Sequence, residues 1–405
     1  MNRPLAVLLL AAAALPACKS EVVCTSTEVA HDGQCISLSS DPANCGAIGR
    51  ACAAGETCTG GLCCDGATCP PAAYAACFNG NAVQGITADV VPVGAPVHTD
   101  SGPISLAWQG SALWAASSLS STLDRMTVSP AGLVAAGPTP PLALPGGAFF
   151  DLEYVAERDG LLYVSNAAVG SLVVVDPAAL SVRGAVELGT MSYPQGIAFS
   201  GTKAFVALNG TSALAVVDLG TSTSTTVDLS GLASPGHLAL PSRLAVVGNR
   251  VYVTLWNLDT SWANPGHGLL AVVDAATGAL VPGVNPVDLG AACQDPAALA
   301  LLGDTLWVTC GWFPWNATGT SDITGAALVP VDVSGAAPAV GAPVPVSGAA
   351  PGPIGFCGGV GYVGDRFSGD VLRFHPASRT VTARGLACPA TGGGSTFVAD
   401  VACGR

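Results

Sequence analysis

From about residue 100 onward, the chain repeats one arrangement of apolar and polar positions. Each unit contains a short apolar strand, a turn, a strand centred on an aromatic residue, a loop, and an apolar run that usually ends in aspartate. Runs rich in β-branched and aromatic residues predict strands, and their continuous apolar character indicates burial on both faces. The central aromatics of the six units are Trp114, Tyr163, Phe205, Tyr252, Trp307 and Tyr362.

The spacing of these aromatics predicts the fold. A period of about 40 to 55 residues with three or four strands per unit is typical of β-propeller blades. Six aromatics require at least six blades, so the predicted fold is an all-β, six- or seven-bladed propeller. A seventh blade would combine an inner strand near Thr396 to Val401 with outer strands between Tyr74 and Thr99. Such a composite blade would close the ring and leave no exposed sheet edge.

The third of these aromatic-centred units illustrates a sequence resemblance. The phrase Pro194-Gln195-Gly196-Ile197-Ala198, followed by Phe205-Val206-Ala207-Leu208-Asn209 and Leu214-Ala215-Val216-Val217-Asp218, resembles the YVTN and NHL-type propeller repeats. Pro351-Gly352-Pro353-Ile354-Gly355, before Tyr362, repeats its opening. The resemblance implies a propeller and no particular activity, because propellers host many unrelated functions.

The third strand of each unit ends in a characteristic way. Asp176, Asp218, Asp274 and Asp332 close their apolar runs, and each is expected to open a turn. Pro330 interrupts the run that leads to Asp332. Because proline lacks a backbone N–H, we expect an edge or bulged strand there.

Residues 1–17 have the pattern of an export signal. Arg3 supplies a positive start, an apolar stretch too short to span a bilayer follows, and the sequence Leu15-Pro16-Ala17-Cys18 ends it. This ending resembles a bacterial lipobox, which implies lipidation of Cys18 and a tether over residues 18–23. By resemblance to known sorting rules, Lys19 favours an outer-membrane or cell-surface lipoprotein, with the periplasmic side as the alternative orientation. An ordinary cleaved signal peptide is the other interpretation.

Residues 24–77 form a cysteine-rich segment, and residues 78–405 are assigned to the propeller. With so few large apolar residues, this segment needs disulfides to fold. Zinc is the alternative, but paired C-x-x-C motifs are missing and His31 is the nearest histidine. The stretch from Asn44 to Cys63 resembles small EGF-like or Dickkopf-like modules. The cysteines of the segment are Cys24, Cys35, Cys45, Cys52, Cys58, Cys63, Cys64, Cys69 and Cys77.

The number of cysteines predicts a bridge between the two regions. Of 15 cysteines, setting Cys18 aside leaves 14, with nine in the segment and five later in the chain. If all are oxidised, at least one disulfide joins the two groups. The sequence suggests Cys77 with Cys403 as this bridge, and Cys293 with Cys310 as a staple within the propeller.

Composition excludes one class of partner. The 405 residues carry 14 basic and 27 acidic side chains, for a net charge of −13. This charge repels phosphate backbones, so nucleic acid is not an expected partner. The expected partners are a membrane, through the lipid anchor, and a protein or glycan ligand.

Two adjacent units carry insertions between their second and third strands, where known propellers bind ligands. Aromatic faces flanked by amides and carboxylates suit a sugar ring or an apolar peptide side chain. The competing interpretation is that the tryptophans pack on one another and stabilise long loops. The candidate ligand-binding residues are Trp256, Asn257, Asp259, Trp262 and His267 in one insertion, with Asn264 beside them, and Trp312, Phe313, Trp315 and Asn316 in the other, with Asp322 beside them.

A second set of polar residues follows the second strands: Asn166, Asn209, Asn257 and Asp365. Comparable oxygen ligands hold a metal in lactonase-like propellers, and calcium is the ion that such ligands suit. No glutamate accompanies this set, and asparagine is common in turns. The sequence lacks G-x-S-x-G, H-E-x-x-H and P-loop motifs. It therefore favours a binding scaffold without a cofactor over an enzyme, with a metal-dependent lactonase- or esterase-like hydrolase and a purely structural envelope protein as alternatives.

Overall fold

The computed structural model describes residues 28–31, 33–38, 40–45, 48–49, 51–59, 62–65, 70–129, 132–146, 151–388 and 396–404. The predicted signal segment, Cys18, Cys24 and Cys69 lie outside the described residues. Within them the protein is nearly all β, and none of its helices is long and apolar enough to cross a membrane. The three short 3-10 helices are Asn209–Thr211, Ser230–Leu232 and Thr320–Asp322.

Seven antiparallel sheets of four or five strands form a ring, which confirms the predicted propeller and sets the blade number at seven. We number the blades from the composite one and letter their strands a to d from the central channel outward. The a strands of blades 1 to 7 are Val398–Cys403, Pro103–Gln109, Leu152–Arg158, Pro194–Ser200, Pro241–Val247, Pro296–Leu302 and Pro351–Cys357. Each a strand packs against the a strands of the two neighbouring blades, so the ring is closed.

The outer strands complete each blade in the same order. The b strands are Ala73–Cys77, Ala112–Ser117, Leu161–Asn166, Lys203–Leu208, Arg250–Leu255, Thr305–Trp312 and Val360–Asp365. The c strands are Ala82–Ile86, Thr122–Val128, Ser171–Asp176, Ala213–Asp218, Leu269–Asp274, Thr324–Asp332 and Asp370–His375. The d strands are Pro92–His98, Val134–Ala136 with Leu142–Ala143, Ser181–Glu187, Thr223–Asp228, Val287–Asp288, Ala339–Val340 with Val344–Pro345, and Thr380–Leu386.

The aromatic residue of each b strand is buried between its own blade and the next. Phe205 of blade 4, for example, packs with Val251 and Val253 of blade 5. Tyr362 of blade 7 packs with Ala73 and Ile86 of blade 1, which continues the same arrangement across the ring closure. Full burial of such a side chain stabilises the fold by roughly 1.5–3 kcal/mol, so the seven aromatics make a large contribution to holding the blades together.

The turns after the c strands confirm the expected role of aspartate. Asp218 accepts hydrogen bonds from the backbone N–H groups of Gly220 and Thr221, both at 2.9 Å. Asp274 likewise accepts from the N–H of Thr277 at 2.8 Å. These bonds replace backbone pairing where the chain reverses.

Pro330 lies in an inner c strand, so the expected edge position is wrong. It is paired with Trp307 of strand b, and its side that lacks an N–H faces strand d. Strand d is interrupted there, because its two segments pair with residues on either side of the proline. The missing donor is thus accommodated by a break in the neighbouring strand.

The composite blade forms as predicted, but its disulfide does not. Cys77 lies opposite Val398, whereas Cys403 lies opposite Ala73 at the other end of the strand pair. At about 3.4 Å per residue, four positions separate Cys77 from Cys403 by far more than a disulfide can span. The Cys77–Cys403 pairing is therefore wrong.

Two other bridges join blade 1 to blade 7. Cys77 bonds to Cys388, which follows the outer strand of blade 7, and Cys403 bonds to Cys357 at the end of its inner strand. The Cys77–Cys388 bridge links the cysteine-rich segment to the later cysteines, as the count requires. Strand 1b begins at Ala73, so the domain boundary that the sequence places after Cys77 falls at the end of a propeller strand.

The cysteine-rich segment contains two hairpins, Glu28–His31 with Gln34–Ser37 and Glu56–Thr59 with Leu62–Asp65. Disulfides join Cys45 to Cys58 and Cys52 to Cys63. The sulfurs of Cys45, Cys52 and Cys63 lie within 4.8 Å of one another. Each is already oxidised, so no thiolate is left among these three to hold zinc.

Candidate functional site

One face of the propeller carries both long loops that the sequence singled out. Because the strands alternate in direction, the loops between strands b and c lie on the same face as the connections between blades; we call this the top face. The loop between Leu255 and Leu269 belongs to blade 5, and the loop between Trp312 and Thr324 belongs to blade 6. The two insertions therefore lie on neighbouring blades and on the same face.

Two predicted ligand-binding residues of the blade 5 loop hold the loop together. Asn257 is fully buried; it accepts a hydrogen bond from the N–H of Ser234 and donates to the carbonyl of His267 at 2.8 Å. Asp259 accepts from the amide of Asn264 at 2.6 Å and from the N–H of Ala263 at 3.0 Å. These bonds, led by that from Asn264, hold the pKa of Asp259 well below its ordinary value.

The two tryptophans of the blade 5 loop are in contact with each other. Trp256 is half-buried and meets Trp262 edge to face, with ring centroids 6.2 Å apart. Trp262 has a positive φ of 60° and remains 50% exposed. His267 is exposed and pairs with Asp288 at 3.1 Å. Of this loop, Trp262 and His267 are thus the predicted residues that are exposed to solvent.

The blade 6 loop divides in the same way. Trp312 continues the sheet opposite Thr324, and Phe313 packs edge to face on Phe367 of blade 7 at 5.4 Å. Trp315 is 96% exposed, and Asn316 beside it is exposed too. The other residue noted in this loop is Asp322, whose carboxylate accepts from the N–H groups of Thr318 and Gly319 and closes the short helix.

A single segment supports the bases of both loops. The carbonyl of Cys293 accepts from the N–H of Gly268 in the blade 5 loop at 2.7 Å. The next residue, Gln294, bonds to the backbone of Gly311 and Gly325 at the base of the blade 6 loop. The predicted Cys293–Cys310 disulfide is present and fixes this segment to strand 6b. The two loops are therefore held on one common support.

Besides Trp262 and Trp315, the top face carries exposed apolar residues that the sequence analysis did not find. Among the described residues, all exposed aromatic side chains and the exposed methionine lie on it. The opposite face has two exposed large apolar loop residues, Val91 and Leu133. Those of the top face are Leu119 (37%), Val169 (40%), Met191 (68%), Tyr193 (42%), Trp262 (50%) and Trp315 (96%).

The residues considered as calcium ligands form hydrogen bonds to the backbone. The amide nitrogen of Asn209 donates to the carbonyl of Pro241 at 3.2 Å, and that of Asn166 donates to the carbonyl of Pro145. Asp365 is buried and accepts from the N–H groups of Ala350 and Phe367, both at 2.9 Å. These hydrogen bonds join the ends of the b strands to neighbouring backbone segments. They explain on structural grounds why asparagine and aspartate occupy these positions.

The central channel holds a polar group that the sequence analysis missed. Glu153 of strand 3a, Gln195 of strand 4a and Arg243 of strand 5a are half-buried near the top end of the channel. Arg243 donates to the side-chain oxygen of Gln195 at 3.5 Å, and its guanidinium lies 5.0 Å from the ring centroid of Tyr154. Gln195 donates in turn to Glu153. Burial raises the pKa of Glu153 to about 7, against the opposing effect of Arg243.

A signal for this group was present in the sequence. The a strands begin with a proline or aliphatic residue, and their first four residues are almost free of charge. Glu153, Arg243 and Asp400 are the exceptions. An alignment of the first residues of the seven a strands shows these three charged residues. They indicate a site, because a charge on a strand that lines the channel requires a partner or a ligand.

Comparison with known proteins supports the fold alone. No known protein family matches the chain, and no curated protein matches it. A hydrazine synthase structure from Kuenenia stuttgartiensis is similar, with 18% identity over 70% of this chain and 86% of that chain and a TM-score of 0.54. A protein from Lactobacillus plantarum is also similar, with 13% identity over 79% of this chain and 93% of that chain and a TM-score of 0.57. The WD40 propeller domain of Doa1 is similar too, with 12% identity over 73% of this chain and 86% of that chain and a TM-score of 0.51. The chain thus has the seven-bladed propeller architecture, and these likenesses assign no activity to it.

Proposed function

We propose that this protein is an exported envelope lipoprotein whose propeller binds a protein partner through the top face. The observation that carries the proposal is that the exposed aromatic side chains of the described residues, Tyr193, Trp262 and Trp315, all lie on that face. Large apolar side chains exposed on one face mark a candidate interaction site, because water is a poor solvent for them. Trp262 and Trp315 are the largest of these side chains, and tryptophan is enriched among residues that dominate binding energy.

The chemistry of the face favours a protein over a glycan. Leu119 and Val169 carry no polar side-chain atom and Met191 only a weakly accepting sulfur, so these residues suit apolar side chains of a protein better than sugar hydroxyls. Two carboxylates of the same face stay ionised, since hydrogen bonds from Ser230 and from the backbone of Thr318 lower the pKa values of Asp228 and Asp322. We therefore expect a partner surface with an apolar centre and a rim of lysine or arginine.

Export and anchoring rest on two separate features. The first is the lipobox-like sequence before Cys18. The second is oxidation, because disulfides persist outside the reducing cytoplasm. We propose that acyl chains on Cys18 hold the protein at the outer membrane or cell surface, since two or more chains give stable anchoring. The disulfides between described residues are Cys45–Cys58, Cys52–Cys63, Cys77–Cys388, Cys293–Cys310 and Cys357–Cys403.

Site-specific photo-crosslinking in cells would test the binding face. A photo-reactive amino acid at position 315 should crosslink one protein, and the same group at position 133 on the opposite face should not. The crosslinked protein, once purified, should bind the full chain. The double variant Trp262→Ala with Trp315→Ala should lose at least about tenfold in affinity, since buried tryptophans at interfaces contribute about 2 kcal/mol or more each.

The matched control is Val91→Ala with Leu133→Ala, which removes exposed apolar groups from the opposite face and should leave affinity unchanged. Equal crosslinking from both faces, or unchanged affinity of the tryptophan variant, would refute the proposal. A crosslink to a second copy of the chain would assign the face to self-association instead. Affinity that disappears with EDTA would favour the calcium-dependent alternative.

A further inference from the structure

The seven inner strands share a distortion at one level of the channel. In every blade the pairing of strand a with strand b shifts register just after the first residue pair. Bulges bend a strand and re-aim side chains. In blade 3 the extra residue is Glu153, and in blades 4 and 5 the distortion includes Gln195 and Arg243. Three consecutive blades thus carry a long polar side chain in the distorted part of the inner strand.

These side chains meet across the channel. Blades 3 and 5 are not neighbours, yet Arg243 of blade 5 lies over the ring of Tyr154 of blade 3 and attracts the carboxylate of Glu153. Arg243 also attracts Asp400, which belongs to blade 1. Inner strands of blades that are not adjacent face each other across the axis. The group therefore lies in the channel and not in a blade interface.

The three charged groups differ in how well they are satisfied. Asp400 accepts hydrogen bonds from the N–H groups of Leu106 at 2.7 Å and Val401 at 2.8 Å, and from Ser105 at 3.1 Å. Arg243 uses one of its five N–H donors in the long bond to Gln195, and it forms no ion pair within the described residues. Donors of Arg243 and acceptors of Glu153 therefore remain open towards the channel.

We propose that the channel between Glu153, Gln195 and Arg243 is a binding site for a small, neutral, hydroxyl-rich molecule such as a monosaccharide. A hydroxyl both donates and accepts, so adjacent hydroxyls can accept from Arg243 and donate to Glu153 across the short span that Gln195 bridges. The remaining a strands, of blades 2, 6 and 7, contribute no charged residue to the channel. The charged side chains of the channel thus come from blades 1, 3 and 5 and lie beside uncharged strands, and small-molecule sites commonly combine a few polar groups with uncharged walls.

Charge argues against an anionic ligand. With both carboxylates ionised, the channel group carries one positive and two negative charges, and the whole protein carries a net charge of −13. An anion would be repelled by this field. A neutral polyol adds no charge to a partly desolvated site, so it can satisfy the open donors and acceptors without the cost of burying an unbalanced charge.

The site lies below the top face and is independent of the protein-binding proposal. Binding is tested with the full chain, by saturation-transfer NMR and calorimetry, against D-glucose, D-galactose, D-mannose and N-acetyl-D-glucosamine. We expect saturable binding of at least one of them at millimolar concentration or tighter. Arg243→Met and Gln195→Leu should each weaken it by about tenfold or more, because hydrogen bonds that involve a charged group contribute about 1.5–3 kcal/mol.

Two controls separate this site from others. Arg158→Met removes an arginine from the opposite end of strand 3a, where it pairs with Asp159, and should leave sugar affinity unchanged. Should Arg243→Met unfold, as judged by its melting temperature, Gln195→Leu gives the same test. Absence of saturable binding for all four sugars, or unchanged affinity in both channel variants, would overturn the assignment. Binding lost only in the Trp262→Ala, Trp315→Ala variant would move the sugar site to the top face and overturn the channel site.

Discussion

Carboxylates in this protein occupy two opposite environments. In the turns after the c strands, backbone donors surround the carboxylate and lower the pKa values of Asp218 and Asp274. In the channel, loss of water dominates and raises the pKa values of Glu153 and Asp400. The turn carboxylates stabilise the fold above about pH 4, and this stabilisation is lost as the pH falls. The channel carboxylates lower the stability of the fold once they ionise, because they are poorly hydrated there.

Glu153→Gln should therefore stabilise the protein at high pH. The folded-state pKa of about 7 exceeds the ordinary value of 4.5, so the folded protein keeps a proton that the unfolded chain loses. Stability due to this group is complete below about pH 4.5 and is lost as the pH rises to about 7. The variant should gain at most about 3 kcal/mol relative to the wild type at pH 8 and nothing at pH 4, measured by urea unfolding.

The groups that face Glu153 support this sign. Arg243 lies across the channel and Gln195 beside it, while strands 2a, 2b, 3b and 4a carry no charged residue. A control is Glu157→Gln, at an exposed residue near the other end of the same strand, which should change the free energy of unfolding by no more than about 0.5 kcal/mol at either pH. Equal stability differences at pH 4 and pH 8 would contradict the assigned environment of Glu153.

At the scale of elements, the strands and the long loops are stabilised in different ways. The b strands form the interfaces between blades with one aromatic each, and the a strands share a bulge where they line the channel. The loop of blade 5 depends instead on hydrogen bonds to the side chains of Asn257 and Asp259, and Asp259 accepts from the backbone of three of the five residues after it. The hydrogen bonds that Asp259 accepts lie within the loop itself. Their loss therefore leaves the contacts between blades intact.

Asp259→Ala should loosen this loop and leave the propeller intact. Without the carboxylate, the N–H groups of Ser261 and Ala263 lose their acceptor, so amide hydrogen exchange over residues 260–264 should rise by about tenfold or more. The melting temperature should change by no more than about 2 °C, since exposed sites away from the core contribute little. Asp228→Ala, which removes a similar turn acceptor in blade 4, is the matched control. Unchanged exchange around Trp262 would show that the loop is ordered by other contacts.

For the molecule as a whole, closure of the ring is the decisive step. Blade 1 takes its inner strand from the C-terminal end of the chain and its other strands from residues 73–98. Two disulfides, Cys77–Cys388 and Cys357–Cys403, join this composite blade to blade 7. Both bridges hold the one blade interface where the two ends of the propeller sequence meet.

The ring-closing bridge should stabilise the protein more than the loop staple. Cys77–Cys388 spans 311 residues, whereas Cys293–Cys310 spans 17. Chain-entropy arguments give about 5–6 kcal/mol for the first and about 3 kcal/mol for the second. Cys77→Ser with Cys388→Ser should therefore lower the free energy of unfolding more than Cys293→Ser with Cys310→Ser, in guanidinium titrations of both double variants. A larger loss from the second pair would show that strand pairing and the Cys357–Cys403 bridge hold blade 1 without Cys77–Cys388.

The sequence by itself determined the repeat, the positions of the seven core aromatics, the turn aspartates and the composite blade. Each of these follows from local patterns: a strand period, a turn residue, and a spacing that recurs. The Cys293–Cys310 bridge was also within reach, because it lies inside one repeat.

Only the tertiary structure decided which cysteine meets Cys77 and which polar groups face the channel. Strand register places Cys403 at the far end of its pair, and nothing in the composition of that strand encodes the offset. Glu153 and Arg243 are 90 residues apart on the two blades that flank blade 4, so the curvature of the blade array brings them together. Contacts across the axis depend on the curvature that all seven blades impose jointly, and a local pattern carries no record of that curvature.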